Sequence, residues 1–104
     1  MADDCIFCSI ANKEMSSEIV YEDEMITVFK DVAPQAPSHV LIIPKKHIVS
    51  LDDTSAEDAE VLSHIMLKVK DIAREQGMDN GYRLVVNCGE DGQQTVKHLH
   101  FHLL

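Results

Sequence analysis

Three histidines alternate with apolar residues in the last part of the sequence, which reads His98-Leu99-His100-Phe101-His102-Leu103-Leu104. Successive side chains of a β-strand point to opposite faces. In a strand this spacing places the three imidazoles on one face, with neighbours about 6.5–7 Å apart, and the apolar side chains on the other. The apolar face can be buried while the other presents groups that titrate near neutral pH. The run therefore predicts a functional site.

The histidine spacing is compatible with three arrangements. The row can be a solvated sheet face, or it can supply zinc ligands, because two histidines two residues apart on a strand are a common zinc arrangement. It can also serve nucleophilic catalysis, in which one imidazole attacks while its neighbours supply protons and orientation. The spacing alone does not decide between these arrangements.

The sequence contains three cysteines, of which Cys5 and Cys8 form a C-x-x-C pair. Cys88 stands alone and is interpreted as a cysteine without a functional role. In a reducing compartment such a pair more often binds metal or does redox chemistry than forms a structural disulfide. With two nearby histidines it makes a Cys₂His₂ zinc site, for which His47 and His98 are the candidates. Two simply buried helix residues, or a redox pair, are the alternatives.

His39 and His47 have the same parity along a strand-like run, but eight fully extended residues would separate them by about 26 Å. Because Pro44 is expected to end the strand, the two histidines should serve different sites. We expect His39 to lie near His100 and His47 to lie near the cysteines. His64, on the long predicted helix, is interpreted as a surface residue.

Further polar residues flank the predicted strands. Asp31 follows a strand and precedes a proline-containing loop, so it either caps a turn or binds hydroxyl groups. Asn87, Gln94 and Thr95 flank a glycine-containing loop beside the histidines. Backbone N–H and polar groups in such a loop can hold an oxyanion, with ordinary turn chemistry as the alternative.

The composition limits the class of protein. With 104 residues, 45% of them hydrophobic, residues 1–104 are predicted to form a single domain. A net charge of −9 argues against a general nucleic-acid-binding surface but allows a small anionic ligand. No apolar run approaches the ~20 residues of a membrane span, and the N-terminus lacks the features of a signal peptide. We therefore expect a soluble cytoplasmic protein with neither a nucleic-acid nor a membrane partner.

Local patterns predict an α+β fold, with an antiparallel sheet of about five strands and helices on one face. One short and one long helix are expected, the long one opening at a capping box over residues 54–57 and ending near Gly77. Its apolar stripe contains Met66 and five other residues, Leu62, Ile65, Val69, Ile72 and Ala73. The predicted strands are 18–21, 25–30, 39–44, 82–87 and the histidine run.

The histidine run resembles the signature of the histidine triad (HIT) nucleotide-binding proteins. Residues 31–47 and 87–96 also resemble the branch that includes the purine nucleoside phosphoramidases, and the similarity covers nearly the whole chain in order. The resemblance implies a HIT-like α+β subunit whose five-stranded sheet dimerises with a second copy into a ten-stranded sheet. It also implies a structural zinc, as in some members, bound by Cys5, Cys8, His47 and His98.

The resemblance further implies that His100 attacks the α-phosphorus of a nucleoside 5′-phosphoramidate or related nucleotide conjugate. Water then hydrolyses the nucleotidyl-histidine intermediate and releases a purine nucleoside monophosphate of the AMP or GMP type. By the same resemblance, the His98 carbonyl orients His100, while His102 and His39 contact phosphoryl oxygens or relay a proton. The implied substrate-binding residues are Asn87, Gln94 and Thr95 around the phosphate, Asp31 at the ribose, and Ile6, Phe7, Ile10, Phe29 and Val32 at the purine.

Two other functions are compatible with the same residues. One is a purine-nucleotide-binding interaction module in which hydrolysis is incidental, and the other is a metalloenzyme that uses the histidine row as zinc ligands. HIT sequences usually continue past the triad with a Gly-Gly turn and a short tail, whereas this one stops at Leu104. We therefore expect a C-terminal tail to be missing. The sequence does not determine the leaving group, the base of the nucleotide, or whether dinucleoside polyphosphates are cleaved.

Overall fold

The computed structural model describes residues 5–104. Five antiparallel strands form one sheet in the order β1-β2-β3-β5-β4, which confirms the predicted α+β fold. The elements are α1 (Ile6–Ala11), β1 (Ile19–Glu22), β2 (Ile26–Lys30), β3 (Val40–Pro44), α2 (Ala59–Glu75), β4 (Leu84–Val86) and β5 (Phe101–Leu103). Within residues 5–104, no helix has the length and apolar character needed to cross a membrane.

The two faces of the sheet are covered by different helices. Alternate strand residues such as Val28 and Ile42 pack with Ile65 of α2, whereas Phe29 and Leu41 pack on the other face with residues of α1. The prediction that both helices lie on one face is therefore wrong. The second face of the sheet is also apolar, because it carries Phe29, Leu41 and Ile43. The apolar side chains of α1 bury this face, namely Phe7, Ile10 and Ala11.

Helix α2 begins and ends close to the predicted positions. A capping box joins Ser55 and Asp58 in the 3₁₀ turn Ala56–Asp58 that leads into α2. It lies one residue later than predicted, because the Thr54 hydroxyl donates to the carbonyl oxygen of Leu51 (2.7 Å) in the preceding turn. Gly77 follows the helix with a φ of +77°, the left-handed conformation typical of a glycine after a helix. Met66 is 47% exposed and does not belong to the buried stripe.

His64 links α2 to the β1–β2 turn, and its interpretation as an ordinary surface residue is wrong. Its Nε2 lies 2.6 Å from Asp23 Oδ2, which also accepts a hydrogen bond from the Tyr21 hydroxyl at 2.7 Å. Burial alone would raise the pKa of Asp23, but these bonds and two backbone N–H groups hold it well below its usual range. The pair is half-buried and fixes the helix against the hairpin.

Strand β5 is shorter than predicted: it begins at Phe101, so His98 and His100 precede it. The N–H of Leu99 bonds instead to the carbonyl oxygen of Ile48 (2.6 Å), outside the sheet. The alternation nevertheless holds: Leu99, Phe101 and Leu103 are buried in the cluster under α2. The histidines therefore face away from the apolar side chains, as the spacing predicts, and the structure places α1 on that side.

Candidate active site and metal centre

The histidine row separates into two neighbouring groups on the α1 side of the sheet. The Phe7 ring of α1 stands edge-on to both His98 and His100, with ring centroids 6.0 and 5.0 Å apart. His100 and His102 have ring centroids 5.2 Å apart, closer than an ideal strand would give. His98 turns toward the cysteines, whereas His100 and His102 line a cavity.

The hydrogen bond of His100 fixes which ring nitrogen carries its proton. Its Nδ1 lies 2.7 Å from the main-chain oxygen of His98, and a carbonyl oxygen can only accept. Nδ1 therefore donates, and Nε2 of the neutral ring retains a free lone pair. A neutral imidazole with an available nitrogen is a competent nucleophile near pH 7.

His39 and His102 form a hydrogen-bonded pair in which the surrounding bonds fix which ring nitrogen carries each proton. Register between β3 and β5 places His102 opposite Leu41, next to His39. The Gln35 N–H donates to His39 Nδ1 (3.0 Å), so the proton of a neutral His39 ring is on Nε2. That nitrogen lies 2.9 Å from His102 Nδ1 and 3.4 Å from Asp31 Oδ2. His102 Nδ1 therefore accepts, and its own proton is on Nε2.

Burial lowers the pKa of His102, and the neighbouring His100 and His39 lower it further, while Asp31 opposes them. His102 is therefore neutral near pH 7 and offers a hydrogen-bond donor at Nε2. Asp31, His39 and His102 also have the spacing of a metal site. The bond from Gln35 to His39 Nδ1 argues against an ion there, because it requires a proton on the nitrogen that would bind the ion.

A cavity of about 330 Å³ lies beside these histidines. Its lining includes most of the predicted substrate-binding residues, namely Ile6, Phe7, Ile10, Phe29, Asp31, Val32 and Thr95, together with His100 and His102. Val32 is 98% exposed and contributes only to the rim. Sequence reasoning missed Met15, Ser16 and Ser17, which also line the cavity. They lie in the link between α1 and β1, and no motif marks them.

Asn87 and Gln94, which were predicted to surround a phosphate, do not line the cavity. Gln94 Nε2 donates to the carbonyl oxygens of Val49 (2.7 Å) and Val96 (2.9 Å). Its Oε1 accepts from the N–H of Gly89 at 3.0 Å. Asn87 Nδ2 donates to the carbonyl oxygen of Gly92 at 2.8 Å. Both side chains brace the loop that precedes Thr95, as polar residues in turns commonly do.

Gly92 allows this loop to close on itself. A Cβ atom there would lie 2.3 Å from the main-chain oxygen of Cys88. We expect Gly92→Ala to lower the free energy of unfolding by about 1–3 kcal/mol, because backbone must move to admit the methyl group. Urea unfolding would measure this change. The exposed Glu90→Ala in the same loop should change stability by less than about 0.5 kcal/mol. Equal unfolding midpoints for the two variants would contradict the argument.

Cys5, Cys8, His47 and His98 form the second group, and their four ligand atoms all lie within 4.8 Å of one another. His98 Nδ1 lies 3.1 Å from Cys5 Sγ and 3.2 Å from His47 Nδ1, and Cys8 Sγ lies 3.2 Å from His47 Nδ1. Ligands bound tetrahedrally to zinc are separated by about 3.3–3.8 Å. The donor set fits a structural zinc, and its ligand atoms would have to move apart by only a few tenths of an ångström to hold the ion.

The surroundings of the cluster also favour a cation. His98 Nε2 donates to the carbonyl oxygen of Pro44 (2.9 Å), which leaves Nδ1 free to bind a metal. Burial lowers the pKa of His98 to about 4, so its ring is neutral. Burial, aided by the hydrogen bond and charge of Cys5, raises the pKa of Cys8 to about 11. A bound cation would reverse that shift and stabilise both thiolates.

The cluster is open on one side. Cys8 and His98 are buried, whereas Cys5 is half-buried and His47 is exposed. Cys5 and His47 line a surface groove of about 570 Å³ that reaches Lys97. As predicted, His47 lies with the cysteines and His39 lies with the other histidines.

Comparisons with known proteins agree with this geometry. Residues 4–104 match the family described as "Scavenger mRNA decapping enzyme C-term binding". An uncharacterized HIT-like protein of Synechococcus elongatus is 50% identical over 104 residues, covering 100% of this chain and 91% of the relative. Protein HitA of Neisseria gonorrhoeae is 45% identical over 102 residues, covering 98% and 95%.

Solved structures are similar over the whole fold. A HIT family hydrolase from Legionella pneumophila Philadelphia 1 has a TM-score of 0.93 and 46% identity, covering 97% of this chain and 91% of that one. A Zn-bound histidine triad family protein from Mycobacterium smegmatis has a TM-score of 0.85 and 32% identity, covering 100% and 76%.

Proposed function

This chain belongs to the histidine triad (HIT) family, and from that membership we propose that it hydrolyses nucleotide conjugates at the α-phosphorus. Nucleoside 5′-phosphoramidates are the proposed substrates, and a purine nucleoside monophosphate is the proposed product. The observation that carries the proposal is the 2.7 Å bond from His100 Nδ1 to the His98 carbonyl, because it leaves Nε2 free to attack. Two of the similar structures are named as HIT family hydrolases, which supports a hydrolytic activity.

In the first step, Nε2 of His100 forms a bond to phosphorus while the bond from phosphorus to the leaving nitrogen breaks. The amine departs with a proton taken from solvent, and His102 Nε2–H donates a hydrogen bond to a phosphoryl oxygen. The His100 ring gains a positive charge, which the negative phosphoryl oxygens bonded to the same phosphorus offset. The hydrogen bond from His39 Nε2 to His102 Nδ1, at 2.9 Å, holds the donating ring in place.

In the second step, water attacks phosphorus, the bond to His100 breaks, the neutral His100 ring is restored, and one proton of the water passes to the solvent. Splitting the displacement in two lets one site expel the amine and then admit water. The purine is proposed to lie among the apolar residues of the cavity, with Thr95 close to the phosphate. Asp31 is the proposed partner of the ribose hydroxyls, because its carboxylate faces the cavity and can accept further hydrogen bonds.

The four ligands Cys5, Cys8, His47 and His98 are proposed to hold one zinc ion. With four protein ligands and no open position, zinc would supply a structural cross-link between α1, the segment after β3 and the segment before β5. We place the protein in the cytoplasm, where reducing conditions keep such thiols available. We also propose a single domain that forms a homodimer through one of its two edge strands, β1 or β4, whose outer hydrogen-bonding groups face away from the sheet.

Intact-protein mass spectrometry after brief mixing with adenosine 5′-phosphoramidate at mildly acidic pH tests the reaction. We expect a transient nucleotidyl adduct and accumulation of AMP. Binding of AMP without adduct or product would contradict the hydrolase and favour a nucleotide-binding interaction module.

A further inference from the structure

The metal cluster borders a surface groove through one of its two cysteines. Cys5 is half-buried and lines the 570 Å³ groove together with the exposed His47, whereas Cys8 lies beneath them. The groove is open to small solutes and large enough to admit them. Of the two cysteines, an oxidant that enters the groove therefore meets Cys5 before Cys8.

The two sulfur atoms are placed to react with each other. Cys5 precedes α1 with an extended backbone (φ −94°, ψ 110°), and its sulfur accepts the N–H of Cys8 at 3.2 Å. A disulfide requires an S–S distance of about 2.05 Å, and the sulfur atoms already lie within 4.8 Å of each other. Because Cys5 lies outside the helical turns, its side chain can rotate toward Cys8 without breaking α1.

On these grounds, and resting on the proposed zinc centre, we propose that Cys5 is a site of peroxide oxidation. Hydrogen peroxide oxidises the Cys5 sulfur to a sulfenic acid as the O–O bond breaks and one water forms. The Cys8 sulfur then attacks the Cys5 sulfur, the S–S bond forms, and the sulfenic oxygen leaves as a second water. Two zinc-bound thiolates thus give two electrons to one peroxide, and the peroxide takes up two protons from solvent to form the two waters.

The disulfide removes two of the four zinc ligands, so the ion is released. His98 then loses its cross-link, although its Nε2 bond to Pro44 remains. His98 precedes β5, and its carbonyl oxygen is the group that orients His100. Oxidation is therefore expected to lower kcat/KM by about 10-fold, because the carbonyl oxygen of His98 is held less firmly and His100 is positioned less accurately.

The test treats reduced protein with hydrogen peroxide and follows zinc with a chromophoric chelator and the thiols by peptide mass mapping. We expect a Cys5–Cys8 disulfide, one zinc released for each disulfide, and recovery after dithiothreitol and zinc are added. The Cys88→Ser variant is the matched control, because it leaves the Cys5 and Cys8 thiols in place. It should respond as the parent protein does.

The outcomes separate this proposal from the proposed zinc centre. Thiols that stay reduced at a peroxide concentration that fully oxidises free glutathione would overturn the inference, whether or not zinc is bound. A disulfide that involves Cys88 would also overturn it. A Cys5–Cys8 disulfide in protein purified without zinc would support the oxidation site and refute the zinc centre.

Discussion

The His100→Ala variant is expected to lose about 10⁴-fold or more of its kcat on adenosine 5′-phosphoramidate. The substitution removes the nitrogen that forms the bond to phosphorus, and His102 cannot replace it, because the proton of its neutral ring is on Nε2. Binding of AMP should be nearly unchanged, since the apolar walls of the cavity and Asp31 are intact.

Two measurements check this expectation: AMP release in the steady state and AMP affinity by calorimetry. His64→Gln is the control, because it alters a histidine on α2 that contacts Asp23 and not the cavity. It should retain the parent turnover. If His100→Ala hydrolysed the substrate at a rate within about tenfold of the parent, His100 would not be the nucleophile.

The Cys8→Ala variant should lose its zinc and unfold at a lower temperature. A structural zinc stabilises the folded chain, because the unfolded chain has no assembled site for it. We expect a loss of about 3 kcal/mol or more, which corresponds to roughly 10–20 °C in Tm for a domain of this size. His98 is 0% exposed, so without the ion its Nδ1 would be left in the interior with fewer partners.

Zinc content by elemental analysis and Tm by calorimetry, each with and without chelator, test this prediction. Cys88→Ser is again the matched control, since Cys88 lies outside the metal cluster. It should keep one zinc per chain and a Tm close to that of the parent. Full zinc occupancy in Cys8→Ala, or a Tm insensitive to chelator in the parent, would contradict the structural role.

Local patterns predicted the parts of the site that depend on strand periodicity. The two-residue alternation of residues 98–103 placed the histidines opposite Leu99, Phe101 and Leu103, and the structure confirms it. The same reasoning separated His39 from His47, because an extended chain cannot bring both to one point. The convergence of Cys5 and Cys8 with His47 followed from the ligand preferences of zinc rather than from the fold.

Features that depend on tertiary contacts were beyond the sequence. Which face α1 covers is decided by the apolar residues of β2 and β3 that need burial, not by the helix itself. The role of Gln94 depends on the carbonyl oxygen of Val49, which lies 45 residues earlier in the chain. Met15 lines the cavity only because the link after α1 folds back beside it.

His98 has two roles, one carried by its side chain and the other by its main chain. The imidazole belongs to the metal cluster, whereas the main-chain oxygen orients His100. Every amino acid has that oxygen, so mutation at this codon cannot delete it. A descendant of this protein can therefore replace the four proposed zinc ligands by well-packed apolar side chains, and the main-chain oxygen of residue 98 would still orient His100. If the proposed zinc site and mechanism hold, metal dependence and chemistry are separately heritable in this fold, although they meet at a single residue.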